Sequence, residues 1–339
     1  MRVCICGGGN LGHVAAGFIA AQGQHEVIVL TRQPERWSNN IVVETPSGEE
    51  LSGSLYGVYG HPQEAVRGAD IVLLCLPGFS IREVLQQIKD HLEPSAAVGS
   101  VVSSTGFFFE AMSVLPSTTV LFGFQRVPFI SRIVDYGRRA RLAGYKNCLH
   151  LAVERLEDKE HLRLALETML RTPIQLLNNY YEASLSNSNP LLHPSRLYSL
   201  WRNWHEGEVY SRVPLFYEEW TEEAAQLYID MDKELQALLQ VLPVATGSIA
   251  TVLEFYESSD AASLARKLRS IEAFKGIAAP MEEVRGGYAP DFNSRYFKED
   301  FPFGLEIVSR LAHEKGIPSP TVDRVCEWGM NCIKQTLSA

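Results

Sequence analysis

Along the first half of the chain, short apolar runs alternate with stretches whose apolar residues recur every three to four positions. "MRVCIC" (1–6), "HEVIVLTR" (25–32), "ADIVLLCLPG" (69–78) and "AAVGSVVSS" (96–104) are short and β-branched or continuously apolar, as strands buried in a sheet are. Between them, "NLGHVAAGFIAAQG" (10–23) is rich in small residues and stops at Gly23, and "FSIREVLQQIKDHL" (79–92) is amphipathic. Both predict helices. Further strands are predicted at 119–125, 139–143, 148–153 and 173–177. This alternation predicts an α/β fold built on a doubly wound sheet.

From about residue 179 the alternation stops. "TEEAAQLYIDMDKELQALLQVL" (221–242), "DAASLARKLRSIEAF" (260–274) and "SPTVDRVCEWGMNCI" (319–333) repeat apolar residues at helical spacing, the last opening on Ser and Pro. Two domains are expected: an α/β domain over 1–178 and a mostly α-helical domain over 179–339, with a cleft between them.

Composition narrows the partners. The chain has 339 residues, is 46% hydrophobic, and carries a net charge of −9. An acidic protein lacks the excess of Lys and Arg that drives phosphate-backbone binding, so no nucleic acid is expected. No apolar run approaches the roughly 18–20 residues of a membrane helix. The glycines near the amino terminus interrupt the apolar core that a secretory signal needs. Six cysteines include no CxxC pair and predict reduced thiols, a cytoplasmic location and no metal site.

The glycines themselves carry chemistry. In "CICGGGNLGH" (4–13), Gly7-x-Gly9-x-x-Gly12 falls between a predicted strand and a predicted helix, inside a βαβ unit about 30 residues long. This is the dinucleotide-binding, Rossmann context. Gly7 allows the tight turn, Gly9 lets backbone approach a pyrophosphate, and Gly12 lets helix and strand pack closely. Asn10 and Leu11 open a helix whose free N–H groups face the phosphates. Leu76, Pro77 and Gly78, with Ser104 in the Ser103–Gly106 stretch, fall at carboxyl ends of later strands and are expected beside the cofactor. At the end of the second strand the usual acid is missing, and the chain reads Thr31-Arg32-Gln33-Pro34-Glu35-Arg36. Arg32 and Arg36 predict a 2′-phosphate and hence NADP(H); Glu35 leaves NAD open.

Two later stretches combine polar groups, prolines and aromatics: "SNSNPLLHPSRLYSLW" (186–201) and "GGYAPDFNSRYFKEDFPFG" (286–304). Asn187, Ser188 and Asn189 would either bind a ligand or build a turn. On chemistry alone a lone histidine such as His193 is usually structural, and Arg295 with Asp300 most often a surface pair.

These strings, together with "VPLFYEEWT" (213–221), resemble the octopine dehydrogenase branch of the opine dehydrogenase family through nearly the whole chain. The resemblance implies a nucleotide-binding domain followed by a helical one. It also implies reductive condensation of an amino acid's amine with a 2-oxo acid, usually pyruvate. His193 then aligns with the family's histidine, Arg295 with its arginine, and Asp300 with its aspartate. The implied roles are acid/base work on the keto oxygen for His193, a carboxylate clamp for Arg295, and orientation of the imidazole for Asp300.

One departure bears on substrate. Where octopine dehydrogenases carry a glutamate, this chain has Phe124-Gln125-Arg126-Val127-Pro128, so a neutral or acidic amino acid, or a different amine, is expected in place of arginine. Gln125 and Asn189 are expected to touch substrate. Arg132, Arg138, Arg139 and Arg141 form a basic patch, read as a solvated face or an attractor of anions. A monomer or homodimer is expected. A ketopantoate reductase-like 2-hydroxy acid dehydrogenase is the alternative enzyme, although 178–202 contains no lysine; a nucleotide sensor without turnover is the non-enzymatic one.

Overall fold

The computed structural model describes residues 1–338 and divides into two compact units, Met1–Ser186 and the chain from Asn187 onward. The first unit opens with strand β1 (Arg2–Cys6), helix α1 (Asn10–Ala20) and strand β2 (Glu26–Leu30). Strands β3 (Asn40–Glu44), β4 (Glu50–Ser54) and β5 (Gly57–Tyr59) follow, then α2 (Pro62–Val66), β6 (Ile71–Leu74) and α3 (Gly78–Ile88). After β7 (Ala97–Ser100) come α4 (Phe107–Val114), β8 (Val120–Phe124), β9 (Phe129–Asp135) and β10 (Arg139–Tyr145). The unit closes with β11 (Leu149–Glu154), α5 (Lys159–Leu170), β12 (Ile174–Leu176) and α6 (Tyr180–Leu185).

Eight strands make the main sheet in the order β12-β11-β8-β7-β6-β1-β2-β5. From β5 to β8 all neighbours are parallel, and β11 runs antiparallel to β8. Its central strands are buried on both faces, which is why they read as unbroken apolar runs.

The stretch 139–143, expected in this sheet, lies elsewhere. It forms part of β10 in a separate four-stranded sheet of order β4-β3-β10-β9. The reason is visible in its pattern: Ala140 and Leu142 are buried while Arg139 and Arg141 point outward, the period-two signature of a sheet with one wet face. The basic patch is largely neutralised there, since Arg139 pairs with Glu50, Arg141 with Glu44 at 3.2 Å, and Arg138 with Asp135 at 4.0 Å.

The second unit contains α7 (Asn189–Trp201), α8 (Glu222–Leu239), α9 (Val252–Phe255) and α10 (Ala261–Ser270). A hairpin of β13 (Met281–Val284) and β14 (Gly287–Pro290) leads into a π-helical segment, Tyr296–Leu305, and then α11 (Glu306–Lys315) and α12 (Pro320–Ser338). Thr221 caps α8 by accepting from the Ala224 N–H at 3.1 Å. The Glu234 carboxylate of α8 accepts from Thr321 and Val322 N–H groups, seating the start of α12. The helix predicted over 260–274 ends at Ser270, and Glu272–Phe274 form a separate 3₁₀ turn. Among the described residues, no helix is long and apolar enough to cross a membrane.

Candidate active site

In the first unit, a cleft of about 600 Å³ opens at the carboxyl ends of β1, β2 and β6. Gly7, Gly9, Thr31, Arg32, Leu76 and Pro77 line it, as do Gly8, Phe79, Ser80, Glu83 and Tyr136. Gly7 has φ +124°, and a Cβ there would strike the Cys75 carbonyl; a Cβ at Gly12 would strike the carbonyl of Gly7. Strand, turn and helix are therefore as close as backbone allows. Gly9 faces open space and is the N-cap of α1, with no side-chain cap and no acidic residue in the first turn. Uncapped N–H groups at the positive end of a helix beside an open face suit a pyrophosphate, so the residues fit a dinucleotide.

The other residues expected beside the cofactor are placed differently. Gly12 packs beneath the turn, Leu11 is half-buried against the core, and the Asn10 side chain accepts from the Ile133 N–H at 2.8 Å. Arg36 lies over the Tyr136 ring at 4.4 Å and donates to Gln33, outside the lining. Gly78 is the buried first residue of α3, and Ser104 belongs to a 3₁₀ turn; neither lines the cleft. Arg32 is exposed and makes no hydrogen bond or ion pair among the described residues. Glu35 lies outside the lining.

In the second unit, α7 presents His193 and, one turn on, Arg196 along one face. The His193 Nδ1 lies 2.7 Å from Asp300 Oδ2, and its Nε2 lies 2.8 Å from the Tyr217 hydroxyl. Tyr296 meets the imidazole edge to face at 4.7 Å. Tyr296 and Asp300 come from the same π-helical segment, four residues apart, so one face supplies both contacts. Its next positions, Phe297 and Phe301, stack at 5.2 Å in the core. An ionised carboxylate only accepts, so opposite it Nδ1 carries the proton, and in the neutral form of the ring Nε2 accepts from the Tyr217 O–H. Burial, reinforced by Tyr296, Tyr256 and Asp300, pushes the Tyr217 phenol far above its usual range, which keeps that proton in place.

Arg196 is almost fully buried; its Nε donates to the Phe216 carbonyl at 2.9 Å, and its guanidinium stands 5.9 Å from the Trp220 ring. Burial lowers its pKa to about 10, with Glu219 opposing the shift. The bond to Phe216 pins the loop that delivers Tyr217.

Arg295 immediately precedes the π-helical segment, is exposed, and makes no hydrogen bond or ion pair among the described residues. It is not joined to the His193–Asp300 pair. The Asn189 N–H donates to Asn187 Oδ1 at 3.3 Å, so the polar cluster builds the turn into α7. In the first unit Gln125 is half-buried, with its Nε2 3.5 Å from the Glu182 carbonyl. Tyr217, Tyr296 and Tyr136 escaped the sequence reading. Only "LFY" inside the quoted 213–221 string and "SRY" inside 286–304 hinted at the first two.

Comparison with known proteins agrees with this division. Residues 2–103 match the family described as NADP oxidoreductase coenzyme F420-dependent, and 176–333 match the NAD/NADP octopine/nopaline dehydrogenase alpha-helical domain. An opine dehydrogenase of Haliotis discus hannai is 29% identical, the match covering 99% of this chain and 90% of that protein. A tauropine dehydrogenase of Arabella iricolor is 28% identical, covering 97% and 90%. An octopine dehydrogenase structure with NADH and L-arginine superposes with a TM-score of 0.85 at 26% identity, covering 98% and 90%. Fold and matches together define an NAD(P)-dependent oxidoreductase. The chain is similar to opine dehydrogenases along nearly its whole length, and the octopine/nopaline dehydrogenase likeness of residues 176–333 is a match to that alpha-helical domain.

Proposed function

We propose that the protein condenses the amine of an amino acid with a 2-oxo acid, pyruvate in the first instance, and reduces the product with NADPH to an N-(carboxyalkyl) amino acid. The observation that carries this reading is the imidazole of His193 held at both nitrogens, by Asp300 at 2.7 Å and Tyr217 at 2.8 Å. That arrangement fixes the tautomer and leaves Nε2 as the one basic atom. Bound nicotinamide supplies the hydride. His193 Nε2 takes the proton that the amine nitrogen sheds on attack and passes it to the oxo oxygen; recharged with a proton from solvent, it then protonates that hydroxyl, which departs as water and leaves an iminium for the hydride, and Asp300 stabilises the charged imidazole each time it forms. Arg295, a guanidinium with no partner among the described residues, takes the oxo acid's carboxylate through two parallel hydrogen bonds.

For the cofactor, Arg32 supports NADPH over NADH. It lines the cleft, carries an uncommitted charge, and has no acid beside it at the end of β2. For the amino donor, Gln125 removes the negative charge that a guanidinium substrate would need, so a neutral or acidic amino acid is the better fit. The octopine dehydrogenase compared above holds L-arginine.

The test is oxidation of NADPH with pyruvate, with and without a panel of amino acids, run in parallel with NADH. Oxidation that requires both the oxo acid and the amine is expected. Oxidation with the oxo acid alone would convert the reading to a simple 2-oxo acid reductase.

A further inference from the structure

The cleft around the glycine-rich turn has one wall that the βαβ unit does not supply. Tyr136 sits in the tight turn between β9 and β10 of the four-stranded sheet and lines the same cleft as Gly8, Gly9 and Arg32. Its hydroxyl reaches over the turn, since a Cβ at Gly8 would overlap both the Tyr136 oxygen and Thr31 Oγ1. That hydroxyl makes no hydrogen bond among the described residues.

The ring, by contrast, is held on three sides. His13 meets it edge-on at 4.9 Å, Trp37 at 6.1 Å, and the Arg36 guanidinium lies over it at 4.4 Å. His13 is fully buried in α1 and bridges two backbones. Its Nε2 lies 2.7 Å from the Gly137 N–H, which can only donate, so Nε2 accepts. The ring proton is then on Nδ1, 3.0 Å from the Gly9 carbonyl. One neutral imidazole thus ties the N-cap of α1 to the residue that follows Tyr136.

A phenol with an unused donor, steadied by a cation on its face and aimed over a phosphate-type turn, is a built ligand for an anion. We propose that Tyr136 is a cofactor-binding residue whose hydroxyl donates to a phosphate oxygen of the bound dinucleotide, and that His13 is the positioning residue that sets it there. The oxygen belongs either to the pyrophosphate or to a 2′-phosphate. The proposal rests on the nucleotide reading of this cleft.

Binding, with no turnover required, tests it. Tyr136→Phe keeps every ring contact and deletes only the hydroxyl, so the unliganded protein should melt as the parent does. Its Kd for NADPH, measured by titration calorimetry, should rise about tenfold, as the loss of a hydrogen bond to a charged group implies. An equal rise with NADH assigns the pyrophosphate, and a rise confined to NADPH assigns the 2′-phosphate; either supports the proposal. Kd values within about twofold of the parent for both dinucleotides overturn it. For His13, the His13→Gln variant should weaken NADPH binding in the parent background and add little in Tyr136→Phe, because both losses act through one contact. Additive losses overturn the positioning role. A parent protein that binds neither dinucleotide removes the nucleotide reading and the proposal together, whereas binding with Tyr136→Phe unchanged removes the proposal alone.

Discussion

The phenol oxygen of Tyr217 lies 2.8 Å from Nε2 of His193, on the opposite side of the ring from Asp300. Burial keeps the phenol protonated well above its usual range, so Tyr217 acts as a donor that turns over to accept when Nε2 takes a proton. Deleting this hydroxyl leaves the imidazole held at Nδ1 alone and, on the proposed mechanism, removes its partner in the proton transfer. Tyr217→Phe should lower kcat about tenfold, the value of roughly one such hydrogen bond. It should also change the pH profile of kcat and leave NADPH affinity unchanged. An unaltered pH profile and rate would remove Tyr217 from the proton path.

His193 and Asp300 separate by the kind of loss each produces. On the proposed mechanism His193→Ala removes the acid/base, and it should cost on the order of 10²–10⁴ in kcat. Asp300→Asn keeps an oxygen that accepts from Nδ1 but offers no charge to the imidazolium. Its loss should be largest where the reaction demands a charged ring. Steady-state rates across pH, alongside NADPH binding by calorimetry, check both; cofactor affinity within twofold of the parent is expected for each variant.

How much of this was legible beforehand follows from which signals are local. The strand, turn and helix around Gly7, Gly9 and Gly12 declare themselves within some 30 residues, because the turn's sterics demand glycine at fixed offsets. The second sheet did not. β3 and β4 are short, Val42 of β3 pairs with Arg139 of β10, 97 positions on, and that pairing is a long-range event that no local period encodes. Asp300 and His193 are 107 residues apart, and only the family resemblance linked them. The π-helical segment escaped for a physical reason: Pro302 and Gly304 inside it argue against a regular helix, while the wider turn lets Tyr296 and Asp300 share a face. Tyr136 was invisible because its role arises from a hairpin folded back onto α1.

Arg32 makes a prediction about cofactor choice. It carries a charge with no partner among the described residues and lines the cleft at the end of β2. Arg32→Ala should raise the Kd for NADPH about tenfold and leave that for NADH within twofold, because only the former carries the 2′-phosphate. Parallel titrations decide it. Equal losses for both would place the arginine at the pyrophosphate instead.

Arg295 makes one about the oxo acid. The bidentate clamp proposed for it should affect pyruvate and leave the dinucleotide alone. Arg295→Lys keeps the charge but loses the planar fork, so it should raise the apparent KM for pyruvate by about an order of magnitude, with Arg295→Ala worse. Free guanidinium added to the alanine variant should restore part of the rate. A KM unchanged in both variants would show that an exposed arginine without partners is only that.

The last prediction concerns His13 and acid. Burial lowers its pKa below the ordinary 6.5, against the pull of the Gly9 carbonyl. In the folded protein the ring is neutral, with Nε2 accepting from Gly137. In the unfolded chain it takes up a proton near pH 6.5. Below that pH the unfolded state binds the extra proton, so stability falls as pH falls. The contribution is fully present above about pH 6.5 and is lost as pH drops through the depressed folded value. His25, whose pKa burial also lowers, acts in the same direction. Two measurements check this: the urea midpoint between pH 8 and 5, and the His13 ring proton shift by NMR over the same range. The ring should stay neutral at pH 6.5 while the urea midpoint declines. If it titrates at or above 6.5 in the folded protein, Nε2 is not held as an acceptor, and the tie between the glycine-rich turn and the Tyr136 hairpin does not exist.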